Sequence, residues 1–516
     1  MTGKVFLVGA GPGDPGLITL KGVRLLQQAE VVIYDFLASP ELLRHVSKEA
    51  EIIYVGKKGG DHTLPQNEIN QLIIDKALLG KRVVRLKGGD PFIFGRGGEE
   101  AEELAKAGIP FEIVPGVTSA IAVPAYAGIP LTHRRFNAGV AFITGHEDPA
   151  KEGHSLDWTK LSTGLETLVF LMGVKNLSLI RDKLIQNGHP AETPAALIRW
   201  GTTSKQKTVT GTLNTIVQKA EEAALDPPAI LVVGEIVTLR DQLNWFENRP
   251  LFGKTVVVTR TREQASELVD RFTDLGAECL EFPTIRIVPP SDWSETDKAI
   301  RGIDDFNWLF FTSPNGVRFF LDRMENLHLD LRSLKGIKIG VIGPATAQAL
   351  SEYHLKADLI PEKFQAEHLL EALSHIPLAN QKVLIPRAEQ AREVLPEGLQ
   401  QMGAEVLVVS AYQTLPALEG KEQLEEKMAQ GEIDCLTFTS SSTVINFLAL
   451  YPRQEILSLL KKVTVACIGP ITAQTARNNG LTVHIVAEEY TIPGLVRAIE
   501  KYFTAKNSEA RSQKPE

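Results

Sequence analysis

Val5-Phe-Leu-Val-Gly-Ala-Gly-Pro-Gly-Asp-Pro-Gly16 places a short apolar run directly before a turn rich in glycine and proline. The run predicts a β-strand that ends at a loop with an open backbone, because glycine has no Cβ to keep a ligand away. The loop departs from a dinucleotide fingerprint, since its glycines alternate at positions 9, 11 and 13. Prolines also remove N–H donors that a pyrophosphate would need at a helix N-terminus. The segment therefore predicts a site for a ligand with little negative charge.

A second glycine-rich loop follows another apolar run. Gly88-Gly-Asp-Pro-Phe-Ile-Phe-Gly-Arg-Gly-Gly-Glu99 lies between the strand-like residues 82–86 and the helical stretch 101–107. Apolar runs alternate with amphipathic windows up to residue 233, which indicates an α/β fold. Ligands of open α/β sheets bind at the carboxyl ends of the strands. We therefore expect both loops to lie at one ligand-binding edge.

Composition excludes several classes of protein. A length of 516 residues predicts about three or four domains, and 23% charged residues are ordinary for a globular protein. The net charge of −8 argues against a nucleic-acid partner. The three cysteines are far apart, so neither a disulfide framework nor a thiolate metal site is expected. An early first strand leaves no room for a signal peptide, and no apolar run reaches the roughly 18 residues of a membrane span. We expect a cytoplasmic protein.

The second half repeats itself at an offset of about 127 residues. Residues 256–260, 275–278, 311–313 and 342–348 match residues 383–387, 402–405, 438–440 and 468–474. Two long repeats predict two similar α/β lobes rather than a solenoid. A cleft between such lobes is a favoured ligand site.

These patterns predict four segments. We expect one domain over residues 1–245, a linker over 246–252, a two-lobed domain over 253–504 and a disordered tail over 505–516. The linker is of mixed polarity, and the tail lacks an apolar pattern.

Motifs of the first half resemble uroporphyrinogen-III C-methyltransferase, within the wider tetrapyrrole methylase family. The resemblance covers about residues 3–245 and is carried by residues 9–15, 34–35, 55–57, 88–99, 116–120, 172–173 and 199–206. It implies a fold of two subdomains and a homodimer formed through this half. It also implies methylation of uroporphyrinogen III at C2 and C7, with S-adenosyl-L-methionine as the donor and precorrin-2 as the product.

The same resemblance implies roles for particular residues. Asp35 would accept the proton that the methylated ring loses, and Lys57 would serve as proton donor. The sulfonium already activates the methyl group, so no metal is expected. Structural roles remain open: turn geometry for the glycines, core packing for the isoleucine and methionine, and solvation for Asp35 and Lys57. The implied adenosylmethionine contacts are Pro12, Gly88, Gly89, Asp90, Ile93, Thr118, Ser119, Met172 and Gly201.

Motifs of the second half resemble uroporphyrinogen-III synthase over about residues 253–502. The resemblance implies cyclisation of hydroxymethylbilane to uroporphyrinogen III, with inversion of ring D. Tyr412 would assist the leaving hydroxyl, while packing is its alternative role. The implied substrate contacts are Arg260, Thr346, Arg387 and Thr472, and a surface ion pair is the alternative for the two arginines.

The order of the two regions predicts a bifunctional enzyme of tetrapyrrole biosynthesis. The carboxy-terminal half would make the macrocycle that the amino-terminal half methylates. No third region remains for NAD-dependent oxidation or metal insertion, so neither is expected. Two alternatives stay open: a related methylase acting on another ring position or substrate, and a catalytically silent two-lobed module that only binds a tetrapyrrole.

Overall fold

The computed structural model describes residues 2–56, 64–145, 156–260, 262–361, 366–389, 393–417 and 420–512. The chain divides into two compact units. We label each unit by the family that its motifs resemble. The methylase unit comprises Met1–Val256, Asp270–Cys279 and Glu500–Glu516, and the synthase unit comprises Val257–Val269 and Leu280–Ile499. The predicted first domain ends at residue 245, which lies inside the methylase unit. This unit also includes two segments from the region predicted to form the second domain and the tail.

The amino-terminal region contains two five-stranded sheets. The strands are β1 (Lys4–Gly9), β2 (Val31–Tyr34), β3 (Glu51–Tyr54), β4 (Arg82–Lys87), β5 (Phe111–Val114), β6 (Val140–Thr144), β7 (Thr167–Leu171), β8 (Pro194–Arg199), β9 (Lys207–Thr212) and β10 (Ala229–Val233). The helices are α1 (Leu20–Gln27), α2 (Gln66–Leu78), α3 (Gly97–Lys106), α4 (Ser119–Tyr126), α5 (Trp158–Gly164), α6 (Leu177–Gln186), α7 (Ile216–Glu222) and α8 (Arg240–Leu243).

The first sheet is parallel, in the order β3-β2-β4-β1-β5. Its central strands are buried on both faces, which explains the nearly continuous apolar sequences of β1 and β2, whereas β4 also buries Arg85 and Lys87. The second sheet has the order β6-β7-β10-β8-β9, and only β6 and β7 pair in parallel. The predicted α/β class is confirmed, and the strand-like residues 82–86 lie within β4.

The predicted linker is packed against the methylase unit. The ring of Phe246 is buried and meets the ring of Tyr126, with centroids 4.7 Å apart. Leu251 is also buried, and Glu247 accepts hydrogen bonds from the side chains of Gln206 and Thr208. Residues 246–252 therefore contribute to the core and polar network of this unit.

The carboxy-terminal region contains two further five-stranded sheets. Its strands are β11 (Thr255–Val258), β12 (Glu278–Glu281), β13 (Ile285–Val288), β14 (Trp308–Phe311), β15 (Lys338–Val341), β16 (Lys382–Ala388), β17 (Glu405–Pro416), β18 (Cys435–Phe438), β19 (Thr464–Cys467) and β20 (Ile485–Val486). Its helices are α9 (Arg262–Asp274), α10 (Ser294–Arg301), α11 (Pro314–Asn326), α12 (Pro344–Glu352), α13 (Ala366–Leu373), α14 (Val394–Gln401), α15 (Lys421–Ala429), α16 (Ser441–Ala449), α17 (Arg453–Leu459), α18 (Pro470–Asn478) and α19 (Ile492–Ser512).

The two sequence repeats do not each build one lobe. One sheet has the order β12-β11-β18-β19-β20 and the other β13-β17-β16-β14-β15, so each combines strands from both repeats. The equivalent strands β11 and β16 have exchanged places. Within one sheet, strand β17 joins the two repeats, because it pairs in parallel with β16 of its own repeat and antiparallel with β13 of the other. Exchange between like segments preserves every local pattern, so the repeat alone does not reveal it.

Helix α19 extends to Ser512, so residues 505–512 are helical where the sequence predicted disorder. Alanine, lysine, glutamate and arginine in this stretch are good helix formers. Residues 513–516 lie outside the described part of the chain. Across the described ranges, no helix combines the length and apolarity needed to cross a membrane.

We predict that Phe246→Ala lowers the free energy of unfolding of the methylase unit by about 3–4 kcal/mol, because the change leaves a cavity beneath Tyr126. Scanning calorimetry of the whole chain measures the loss. Leu243→Ala is the matched control, since the side chain of Leu243 is half exposed and should cost much less. Equal effects would show that the segment after α8 does not pack as described.

Candidate active sites of the two units

The glycine-rich loops after β1 and β4 are joined through their backbones. Gly11 N–H donates to the Gly89 carbonyl at 3.2 Å, and Gly89 N–H donates to the Gly11 carbonyl at 2.7 Å. Their φ angles are +80° and +67°, a region that favours glycine. A Cβ on Gly116 would lie 2.3 Å from the Gly89 carbonyl oxygen, and a Cβ on Gly9 would lie 2.5 Å from the Gly116 Cα. Backbone therefore packs directly on backbone where β1, β4 and β5 end.

Asp90 ties these loops together. Its Oδ2 accepts a hydrogen bond from Gly116 N at 2.9 Å, and its Oδ1 accepts from Phe92 N at 2.8 Å and Ile93 N at 3.1 Å. The side chains of Phe92 and Ile93 are exposed. Asp90 thus organises the loop, and the exposure of Ile93 makes core packing the weaker interpretation for that residue.

Helix α4 connects several of the residues predicted to bind adenosylmethionine. Thr118 caps this helix and is buried, and its hydroxyl accepts from Ala120 N at 3.3 Å. A Cβ on Gly89 would lie 3.6 Å from Ser119 N, and a Cβ on Gly201 would lie 2.4 Å from the Val123 side chain of α4. The structure therefore brings Gly89 beside Thr118 and Ser119, with Gly201 against the same helix.

The remaining predicted contacts have different surroundings. Gly88 packs against the segment that follows β2, since a Cβ there would lie 2.5 Å from Leu37 Cβ. Pro12 is half-buried in the loop after β1. Met172 lies after β7 with a φ of +57° and an exposed side chain, which again disfavours core packing. Lys57 lies outside the described residues.

Loops of the two amino-terminal sheets meet at this edge. Asp14 N–H donates to Thr202 Oγ1 at 3.1 Å, and the Tyr126 hydroxyl donates to Asp14 Oδ2 at 2.7 Å. Burial, reinforced by the Asp14 carboxylate, raises the pKa of the Tyr126 phenol well above its usual value. The rings of Phe36 and Trp200 also make an edge contact, with centroids 5.8 Å apart. The site is therefore bordered by strand ends from both sheets.

Asp35 follows β2 and belongs to an ionic network. Its Oδ2 lies 2.9 Å from Arg85 Nη2, and its Oδ1 accepts from Leu37 N at 3.2 Å. Glu100 Oε1 lies 3.3 Å from Arg85 Nε and 2.7 Å from Lys87 Nζ. Asp35 is the member that reaches solvent, with 27% of its side chain exposed against 3% for Arg85.

Arg85, Lys87 and Glu100 are possible site residues that the motifs did not indicate. The available signal was the pair of cations Arg85 and Lys87 near the end of a predicted strand whose first residue, Arg82, is also a cation, because buried charges require partners. Burial, with a contribution from Arg85, lowers the pKa of the Lys87 ammonium, and Glu100 partly opposes that effect.

We predict that Gly116→Ala destabilises the methylase unit by about 2–3 kcal/mol, because its Cβ would collide with the Gly89 carbonyl. Thermal unfolding of the whole chain measures the change. Gly98→Ala in α3 is the control: a Cβ there meets nothing within 4 Å, so we expect unchanged or slightly higher stability. A harmless Gly116→Ala would contradict the packing of the loops.

In the synthase unit, Tyr412 of β17 is buried beside Ser313. Its hydroxyl lies 2.9 Å from Ser313 Oγ, which also accepts from Gly316 N at 3.1 Å and so caps α11. The Phe319 ring stacks nearby, with centroids 5.9 Å apart. Burial raises the pKa of Tyr412, and the Ser313 hydroxyl partly opposes this. The phenol therefore remains protonated below pH of about 10.

The other predicted substrate contacts divide between the two sheets. Thr346 and Thr472 are buried at equivalent positions in the first turns of α12 and α18. Arg387 of β16 is buried in the same sheet as Tyr412 and is ion-paired with Glu393, which supports its structural alternative. Arg260 follows β11 in the other sheet, and burial lowers its pKa.

Comparisons with known proteins match both regions. The family of tetrapyrrole (corrin/porphyrin) methylases matches residues 4–217, and the family of uroporphyrinogen-III synthase HemD matches residues 266–497. The porphyrin biosynthesis protein HemD of Ruminiclostridium josui is 41% identical over 496 residues, covering 96% of this chain and 97% of the relative.

Two further relatives cover less of the chain. Uroporphyrinogen-III C-methyltransferase of Bacillus subtilis is 43% identical, covering 69% of this chain and 72% of the relative. The solved structure of uroporphyrin-III C-methyltransferase from Thermus thermophilus, complexed with S-adenyl homocysteine, is 40% identical. It covers 46% of this chain and 100% of that chain, with a TM-score of 0.39.

The family matches define a tetrapyrrole methylase followed by a uroporphyrinogen-III synthase. The chain belongs to the family of such fused porphyrin-biosynthesis proteins, and it is a bifunctional enzyme with methyltransferase and synthase activities.

Proposed function

We propose that the methylase unit transfers methyl groups from S-adenosylmethionine to C2 and C7 of uroporphyrinogen III, giving precorrin-2. The supporting observation is the backbone-lined edge where the loops of Gly11, Gly89 and Gly116 meet beside Asp35. Peptide groups can hold the uncharged adenosine without requiring a phosphate. The donor supplies an activated methyl group, and the chain orients it toward the ring carbon.

The proposed donor site fits the residues present. Gly89 leaves room at the capped start of α4, and the side chains of Ile93 and Met172 are exposed. Asp90 has its oxygens engaged by backbone amides, so it contributes mainly by holding the loop. The nine residues named as adenosylmethionine contacts remain our proposal for this site.

We further propose that Asp35 accepts the proton released after methyl transfer. The methylated pyrrole carries a positive charge, and loss of a proton from the adjoining methylene bridge restores the neutral system. The Asp35 carboxylate is partly exposed, and the buried Arg85 guanidinium orients it through an ion pair. A positioned carboxylate is a suitable general base. Lys57 is the proposed complementary proton donor.

We expect Asp35→Asn to lower kcat for methylation by about 10²–10⁴-fold, because an amide cannot accept the proton. Affinity for S-adenosylhomocysteine, measured by calorimetry, should stay close to that of the wild type. Asp75→Asn, on the exposed face of α2, should change neither quantity. Full turnover by Asp35→Asn would remove this aspartate from the mechanism.

For the synthase unit we propose cyclisation of hydroxymethylbilane to uroporphyrinogen III with inversion of ring D. The supporting observation is the protonated, buried phenol of Tyr412 beside Ser313. The phenol can donate a hydrogen bond to the leaving hydroxyl as water departs. The substituted carbon of ring D then attacks the resulting cation. The spiro intermediate that forms fragments and recloses.

Substrate carboxylates need donors in this unit. Helices α11, α12, α16 and α18 each begin just after a strand, and their N-termini favour anions. Thr346 and Thr472 sit in the first turns of two of these helices. We propose them, together with Arg260 and Arg387, as substrate contacts.

We predict that Tyr412→Phe lowers the initial rate of uroporphyrinogen III formation by about 10²-fold, since phenylalanine keeps the ring contact but loses the donor. Isomer analysis by chromatography measures the product. Tyr353→Phe is the control, because that hydroxyl instead donates to Asp322. A rate like that of the wild type would assign Tyr412 to packing.

One experiment separates a synthase from a silent binding module. The whole chain is used, because two segments beyond residue 256 belong to the methylase unit. Asp35→Asn blocks methylation, and hydroxymethylbilane is then added. Type III uroporphyrinogen supports the synthase activity, whereas the spontaneous type I isomer alone supports a binding module.

We also propose a cytoplasmic enzyme that forms a homodimer through its methylase half, acting on tetrapyrroles and requiring no metal, nucleic acid or membrane. Fusion of consecutive steps would raise the local concentration of the shared intermediate.

A further inference from the structure

Four side chains form a continuous line of alternating charge, which we call the Asp35 tetrad: Asp35, Arg85, Glu100 and Lys87. Arg85 bridges the two carboxylates at 2.9 and 3.3 Å, and Lys87 Nζ lies 2.7 Å from Glu100 Oε1. Counted as ionised groups, the tetrad is neutral. Glu100 is completely buried and Lys87 is 4% exposed, so Asp35 is the member with substantial access to solvent.

Stability gives a weak reason for such a network. Removing charges from water costs several kcal/mol per ion, and apolar replacements of buried ion pairs are often at least as stable. Strand β4 lies in the middle of its sheet, and its residues after the exposed Arg82 are all buried. Glu100 Oε2 is also buried without a hydrogen-bond partner, which adds to the cost. The arrangement therefore calls for a role beyond packing.

The tetrad acts on chemistry through Asp35. Arg85 holds Oδ2 while Leu37 N–H donates to Oδ1, so both the rotamer and the position of the carboxylate are set. Protonation of Asp35 changes the net charge of the tetrad from zero to +1, with both cations buried. An uncompensated charge is costly in such surroundings. The buried members thus fix both the position of the Asp35 carboxylate and the charge next to it.

We propose that Arg85, Glu100 and Lys87 are positioning residues that aim the Asp35 carboxylate and make it release its proton to solvent after each methyl transfer. The inference rests on the proposed role of Asp35 as proton acceptor. The methylated carbon carries no hydrogen, so a C–H bond of the adjoining methylene bridge breaks, and its electron pair neutralises the pyrrole cation. The proton forms an O–H bond on Asp35, and water then takes it from the exposed carboxyl group.

Several groups of the described chain lie near the tetrad. The Arg96 guanidinium interacts electrostatically with Glu100, but it is ion-paired with Glu99, so this pair adds no net charge. Gln66 of α2 donates to Glu100 Oε1 at 3.1 Å. Tyr34 of β2 and Tyr54 of β3 pack with ring centroids 5.2 Å apart, and burial is the main cause that raises the pKa of Tyr54. Lys57 lies outside the described residues. Charge changes within the tetrad should therefore dominate the pH response.

The test measures kcat for methylation against pH in the whole chain with uroporphyrinogen III and S-adenosylmethionine. Glu100→Gln removes a negative charge, disfavours protonation of Asp35 and should move the acid limb to lower pH by about one unit. Lys87→Met removes a positive charge and should move it to higher pH by about one unit. The double variant restores neutrality, so its limb should return close to that of the wild type.

A purely structural role predicts a different pattern. Lower kcat in both single variants, with acid limbs that stay in place or move in the same direction, would overturn the inference. Either single variant suffices if the other does not fold: its limb moves in the stated direction or the proposal fails. Arg85→Lys retains the positive charge but loses the forked N–H donors of the guanidinium. We expect kcat to fall about tenfold or more, while the acid limb of the pH profile stays nearly in place.

The proposed function and this inference fail separately. If Asp35→Asn retains wild-type turnover, Asp35 is not the acceptor and the proposed function needs another base. The other outcome is an inactive Asp35→Asn together with acid limbs in the pH profiles of Glu100→Gln and Lys87→Met that do not move apart. In that case Asp35 is still the proton acceptor, and the positioning role proposed for the other three residues is wrong.

Discussion

Close backbone packing at the ends of β1, β4 and β5 is the constraint on which the methylase site depends. Gly9, Gly89 and Gly116 approach one another so nearly that a single Cβ would meet backbone atoms at 2.3–2.5 Å for two of them. Without side chains between them, the loops present peptide groups to a ligand. Asp90 holds that arrangement by accepting from Gly116, Phe92 and Ile93. The neutral character of the site follows from this packing.

Buried charged side chains lie next to the same region. Arg85 and Lys87 are carried by β4, whose apolar neighbours bury them, while Glu100 reaches them from α3. The second glycine-rich loop begins directly after Lys87, so one strand both opens the backbone surface and orients the proposed base at Asp35. A loop built for an uncharged nucleoside thus lies next to an ionic network suited to proton transfer.

The synthase unit shows how duplication can produce similar sheets without separate lobes. Each sheet takes strands from both repeats, and within one of them β17 pairs with β16 of its own repeat and with β13 of the other. Equivalent elements such as Thr346 and Thr472 therefore occupy similar helix starts in different sheets. Tyr412 lies beside Ser313 on β17, which pairs with strands of both repeats.

The sequence by itself determined the α/β class, the strands around both glycine loops and the existence of a repeat, because hydrophobic period and glycine spacing are local properties. It also placed Asp35 at a strand end. Only the tertiary structure decided that β11 and β16 exchange sheets, that residues 246–252 pack into the methylase unit, and that Glu100 meets Arg85 and Lys87. Those features depend on which distant segments pair with one another. The local sequence of a repeated segment, or of a single charged residue, is compatible with several partners and does not select one.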